Sequence, residues 1–114
     1  MDAPGGAQGE EPRLRYRLRV APRAAAQIRE AADWWLANRP KAPHAFEEDL
    51  EKAFALVSSL PLAGQTVRHS RIAGIRRVLM GRVRYYLYYR VETGRELVEV
   101  LALWHSSREG EPRL

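Results

Sequence analysis

The apolar residues of this chain change their spacing twice, and few architectures accommodate both changes. In "LRYRLRVA", Tyr16, Leu18 and Val20 alternate with Arg15, Arg17 and Arg19, the two-residue period of a half-buried strand. From Pro22 the period becomes helical. Ala25, Ile28, Ala32, Trp35 and Leu36 recur on one face until "NRP" stops the run, and Pro22 occupies a position where a helix can begin. After the connector "RPKAP", Phe46, Leu50, Ala53, Val57 and Leu60 mark a second amphipathic helix with "EEDLEK" on its outer face, closed by Pro61. Beyond the loop "LAGQTVRHSRIAG" the chain returns to strand-like sequence: "IRRVLM" before Gly81, the aromatic "RYYLYYRV", and "ELVEVLALW" after the turn "ETGR".

This order predicts an α+β layer fold: an N-terminal strand, an antiparallel helical hairpin, then a three-strand antiparallel meander. The sheet is expected to have about four strands, with the helices on one face and the other face exposed. The nearly continuous apolar run of "ELVEVLALW" predicts a central strand covered on both sides. Alternation along "YYLYY" groups Tyr85 and Tyr89 with Leu87 in the core and leaves Tyr86 and Tyr88 free for binding. Trp34 and Trp35 are adjacent on a helix, which cannot bury both equally, so one of them is expected to line a groove.

Residues 15–108 are expected to form the single folded domain, between a disordered leader over residues 1–14 and a C-terminal tail over residues 109–114. The leader "MDAPGGAQGEEPR" has neither the basic start nor the apolar centre of a signal peptide, and no apolar run is long enough to span a membrane. A cytoplasmic location is therefore the default. The chain has no cysteine, which excludes disulfides, zinc-thiolate sites and thiol chemistry, and no metal or cofactor is expected.

Charge divides the chain unevenly. The net charge is +5, and it becomes +7 once the leader is set aside, from 18 Lys and Arg against 11 Asp and Glu. Six acids fall between Glu30 and Glu51, and then none occurs until Glu92. Within that gap, Val67 to Val91 carries seven arginines. A surface so provided calls for an acidic or polyanionic partner.

With the pattern in place, "GIRR" entering one strand, "YYLYYRV" in the next and "VLALWHSSR" at the end together resemble the RelE/ParE superfamily, the plasmid-stabilisation toxins of type II toxin–antitoxin modules. The resemblance spans residues 15–108. It implies a small basic toxin, neutralised in a hetero-oligomer by an acidic antitoxin segment that wraps it. It leaves the target open between mRNA cut on the ribosome and DNA gyrase poisoned by docking. A non-toxic nucleic-acid-binding domain with the same fold is the alternative.

RNA cleavage by a metal-free route needs a proton acceptor, a donor and cations around the phosphate. The candidates for that chemistry are Arg76, His105 and Arg108, on strand ends expected to converge; Arg76 could instead pair with Asp33 or Asp49. Arg68, His69, Arg71, Arg77, Arg84 and Tyr86 are the candidates for binding nucleic acid or a target. The mRNA-cleaving branch leads one to look for lysines ahead of the second strand and a tyrosine near the C-terminus. Here the loop offers Arg68, His69 and Arg71, and "HSSREGEPRL" has no tyrosine.

Overall fold

The computed structural model describes residues 15–68 and 71–114, so the expected leader and His69 lie outside the described residues. Its strands are β1 (Arg17–Val20), β2 (Gln65–Val67), β3 (Ile75–Met80), β4 (Tyr85–Glu92) and β5 (Leu97–His105), and its helices are α1 (Pro22–Asn38) and α2 (Ala45–Ser59). Pro22 opens α1 from the extended residue Ala21, using a position whose N–H would have no helical acceptor. In the first turn of α2, Glu47 and Glu48 place negative charge at the positive end of the helix dipole.

The five strands form one sheet in the order β1-β5-β4-β3-β2. β1 runs parallel to β5, and the other pairs are antiparallel. The sequence pattern anticipated about four strands; the fifth, β2, lies in the loop after Pro61 and pairs Gln65, Thr66 and Val67 with the start of β3. Three residues without alternation are too few to show a period.

Both helices pack on one face. Ala24 and Ala31 of α1 and Phe46 and Ala53 of α2 bury against Met80, Leu87, Val100 and Leu103, while Val57 packs with Tyr89 and Val98. The small alanines let α1 approach the sheet closely. On the opposite, open face Ile75, Tyr88 and Ala102 form a separate apolar cluster, against which Tyr86, Trp104 and Leu114 pack. Residues 109–114 contribute to this cover: Pro112 is buried, and the Arg113 carbonyl accepts a 2.9 Å hydrogen bond from Arg23 of α1.

One irregularity decides which side chains reach which face. Along β4 and β5 the pairing passes from Tyr88↔Ala102 to Tyr89↔Val100, so Leu101 is an extra residue in a β-bulge. Val98 and Val100 face the helices before the bulge; after it Leu103 and His105 do, and Trp104 turns to the open face. Tyr88, expected to be free, is instead 1 % exposed because the open face has an apolar cluster of its own. Tyr89 is buried as expected, and Tyr85 is only partly covered.

Candidate functional site

Arg76 lies on β3 opposite Tyr89, and its Nη1 donates to the carbonyls of Leu62 at 3.0 Å and Gly64 at 2.8 Å. It ties down the turn after α2; neither Asp33 nor Asp49 is its partner. Gly64 is confined from the other side as well. Its N–H donates to the Tyr89 hydroxyl, which donates to the Pro61 carbonyl, and a Cβ on Gly64 would fall onto that hydroxyl.

Asp49 binds a different arginine. Its carboxylate accepts from the Arg82 backbone N–H at 2.8 Å, the Arg82 Nε at 3.0 Å and the Val83 N–H at 3.1 Å, while Arg82 Nη2 also meets Glu48 at 2.9 Å. Burial alone would raise the Asp49 pKa, but the Arg82 side chain and the two backbone donors outweigh it and hold the carboxyl below its usual range. This staple fixes the β3–β4 turn on α2.

His105 stands at the other end of the sheet from Arg76. The register runs Met80↔Tyr85↔His105, four residues along β3 from Arg76 and two strands across, roughly 16 Å away. The expected convergence of strand ends therefore does not occur for Arg76. His105 and Arg108 do come together, on the wall of one cavity. The His105 ring meets the Tyr85 ring edge to face at 4.8 Å. Its Nδ1 accepts the Ser107 backbone N–H at 3.1 Å and lies 2.8 Å from Ser107 Oγ. A backbone donor on Nδ1 places the hydrogen of the neutral ring on Nε2.

The remaining candidates separate by face. Arg77 lies on the open face, stacked 4.0 Å over the Tyr86 ring and held by Gln65 and the Tyr88 hydroxyl, each at 3.1 Å. Tyr86 pairs across the strands with Trp104, over which Arg108 stacks at 4.0 Å. The result is a row of aromatic rings capped by two guanidiniums. Arg84, in the β3–β4 turn, has a left-handed backbone with φ of 66°. Arg68 and Arg71 are exposed beside the loop that follows β2.

Two cavities open on the helix side of β4 and β5. The first, of about 400 Å³, is bounded by Gln27, Glu30, Trp34, Tyr85, His105 and Arg108. The second, of about 500 Å³, shares Trp34, Tyr85 and His105 and adds Arg39, Arg84 and Ser107. Trp34 is 47 % exposed, with Arg39 stacked 5.2 Å from its ring centre, whereas Trp35 donates to the Ala42 carbonyl at 2.7 Å. The paired tryptophans signalled this groove in the sequence; Gln27, Glu30 and Arg39 carried no signal of their own. Among the described residues no group of three His, Cys, Asp or Glu could hold a metal ion, and no helix is long and apolar enough to cross a membrane.

Comparison with known proteins follows the same lines. The family described as "ParE toxin of type II toxin-antitoxin system, parDE" matches residues 18–110. The fold is shared with the chromosomal ParDE toxin–antitoxin system from P. aeruginosa at 19 % identity and a TM-score of 0.62, covering 81 % of this chain and 97 % of that one. It is also shared with the toxin–antitoxin complex RelBE2 from Mycobacterium tuberculosis at 23 % identity and a TM-score of 0.59, covering 82 % and 94 % of the two chains. The intact E. coli RelBE toxin–antitoxin complex aligns at 19 % identity and a TM-score of 0.56, covering 82 % and 99 %. No curated protein sequence matches.

Proposed function

The chain belongs to the ParE toxin family of type II toxin–antitoxin systems, and on that premise we propose that it arrests bacterial growth by docking on DNA gyrase, not by cutting RNA. The observation that carries this reading is the separation of Arg76 from His105. A cleavage site needs cations converging with a proton acceptor on one phosphate. Arg76 instead spends its hydrogen bonds on the Leu62 and Gly64 carbonyls. On the open face Arg77 supplies charge beside Tyr86, and Arg108, stacked over Trp104, lies between that face and the cavity whose wall it shares with His105. Arginines stacked on aromatic rings suit binding, and without Arg76 the His105 cavity lacks one of the three residues expected to carry cleavage.

The expected partner that restrains it is an acidic antitoxin segment, since the RelBE2 and RelBE structures of similar fold are toxin–antitoxin complexes and Arg77, Arg84 and Arg108 have no carboxylate partner among the described residues. Charge complementarity would speed its encounter with the toxin. Because the chain performs no chemistry in this reading, its toxicity depends on an intact contact surface.

Inducible expression in a bacterium tests the proposal. The expected outcome is arrest accompanied by DNA-damage signalling, with mRNA 5′ ends unchanged by primer extension. Codon-linked cuts in mRNA would replace docking with ribonuclease action. Normal growth at high soluble levels would favour a non-toxic nucleic-acid-binding domain, to which the arginine-capped aromatic row is also suited.

A further inference from the structure

The two cavities that share Trp34, Tyr85 and His105 differ in polarity. Gln27 and Glu30 belong to the first, three residues apart and so on one face of α1. The Gln27 Oε1 accepts the Leu103 N–H at 2.9 Å, which fixes the carboxamide and leaves its NH₂ as a donor with no partner among the described residues. Glu30 likewise makes no ion pair among them, and its carboxylate is a two-oxygen acceptor. The second cavity has no acid in its wall and presents Arg39, Arg84, Ser107 and the Nε2–H of His105. One half thus sets a donor beside an acceptor, with Trp34, Tyr85 and Arg108 in the same wall, and the other offers cations without an acid.

Arg84 adds an independent observation. Its φ of 66° lies in the left-handed region, which glycine or asparagine occupies at less cost. Its side chain makes no hydrogen bond or ion pair among the described residues, so no contact within the fold accounts for an arginine at this position. A strained residue at the rim of a cavity is grounds for a functional hypothesis.

We propose that these cavities form one cleft that binds a guanosine phosphate, with the base between Trp34 and Tyr85 and the phosphate at Arg39 and Arg84. The guanine edge carries an acceptor, O6, beside two donors, N1–H and the N2 amine, which complements the Gln27 amide and the Glu30 carboxylate. Adenine lacks that pair of donors. A peptide acidic along its length would meet Glu30 at one end, which disfavours it. The cleft shares Arg84 and Arg108 with the arginines assigned to partners above, but its test reads nucleotide binding alone, so its failure and that of gyrase docking are distinguishable.

Calorimetric titration of the purified full chain with GMP, AMP and inorganic phosphate decides the matter. GMP is expected to saturate one site about tenfold or more tightly than AMP, and phosphate to bind more weakly still. Glu30→Gln should abolish most of the preference for GMP. Arg84→Gly should weaken both nucleotides about tenfold or more while leaving the thermal midpoint unchanged or higher, because glycine suits this backbone. No saturable binding of GMP at millimolar concentration would overturn the proposal. Equal affinity for GMP and AMP, affinity unchanged by Arg84→Gly, or binding of a glutamate-rich peptide where GMP fails would each overturn it as well.

Discussion

Asp49 is the one charged side chain buried among the described residues, and three donors from the β3–β4 turn converge on it. Removing it leaves the buried Val83 N–H without an acceptor, so Asp49→Ala is expected to destabilise the fold by about 2 kcal/mol or more in urea unfolding. The same contact sets a pH dependence. The folded carboxyl titrates below the ordinary value of 3.8, so its contribution is complete above that value and is lost as pH falls through the lowered one. Stability should therefore drop on acidification below about pH 4, and Asp49→Ala should lack that component of the slope. Sequence alone marked Asp49 as an acid on the outer face of a helix and offered it to Arg76. Choosing Arg82 required the turn geometry, because the carboxylate is held largely by backbone N–H groups that no side-chain pattern reveals.

At the scale of elements, the two changes of period sufficed for both helices and for β1, β3, β4 and β5, since each buries one face against the other layer. Two features left no such trace. β2 is short, and the bulge at Leu101 interrupts a run so uniformly apolar that either phase reads alike. That bulge puts His105 on the helix side and Trp104 on the open side, so the members of the candidate site could be named from the sequence but not assigned to a face. Arg76 illustrates the consequence: a cation at a strand start reads as a phosphate ligand until the carbonyls of Leu62 and Gly64 are seen to hold it. Arg76→Ala should accordingly raise hydrogen exchange across Gly64 to Val67 and leave toxicity within about twofold of the parent, measured at matched soluble levels. A loss of toxicity on the order of 100-fold with exchange unchanged would return Arg76 to the functional surface.

For the whole molecule, the acid-free stretch is neutralised only in part by the fold. Arg82 is paired with Glu48 and Asp49, and Arg90 with Glu92 and Glu99, so the acids flanking the stretch in sequence serve two of its arginines. Arg77 and Arg84, with Arg108 beyond the stretch, have no carboxylate among the described residues, and two of these three lie against aromatic rings on the open face. Positive charge stacked on half-buried rings on one side of a sheet suits a partner supplied in trans, which is the economy of a toxin and its antitoxin. Action by docking is measurable on purified gyrase. Added to a supercoiling reaction, the chain should block ATP-dependent supercoiling and trap cleaved DNA, and His105→Gln should do so equally well. Unimpaired gyrase at excess chain, together with cuts in mRNA on programmed ribosomes that disappear in His105→Gln, would make the chain a ribonuclease instead.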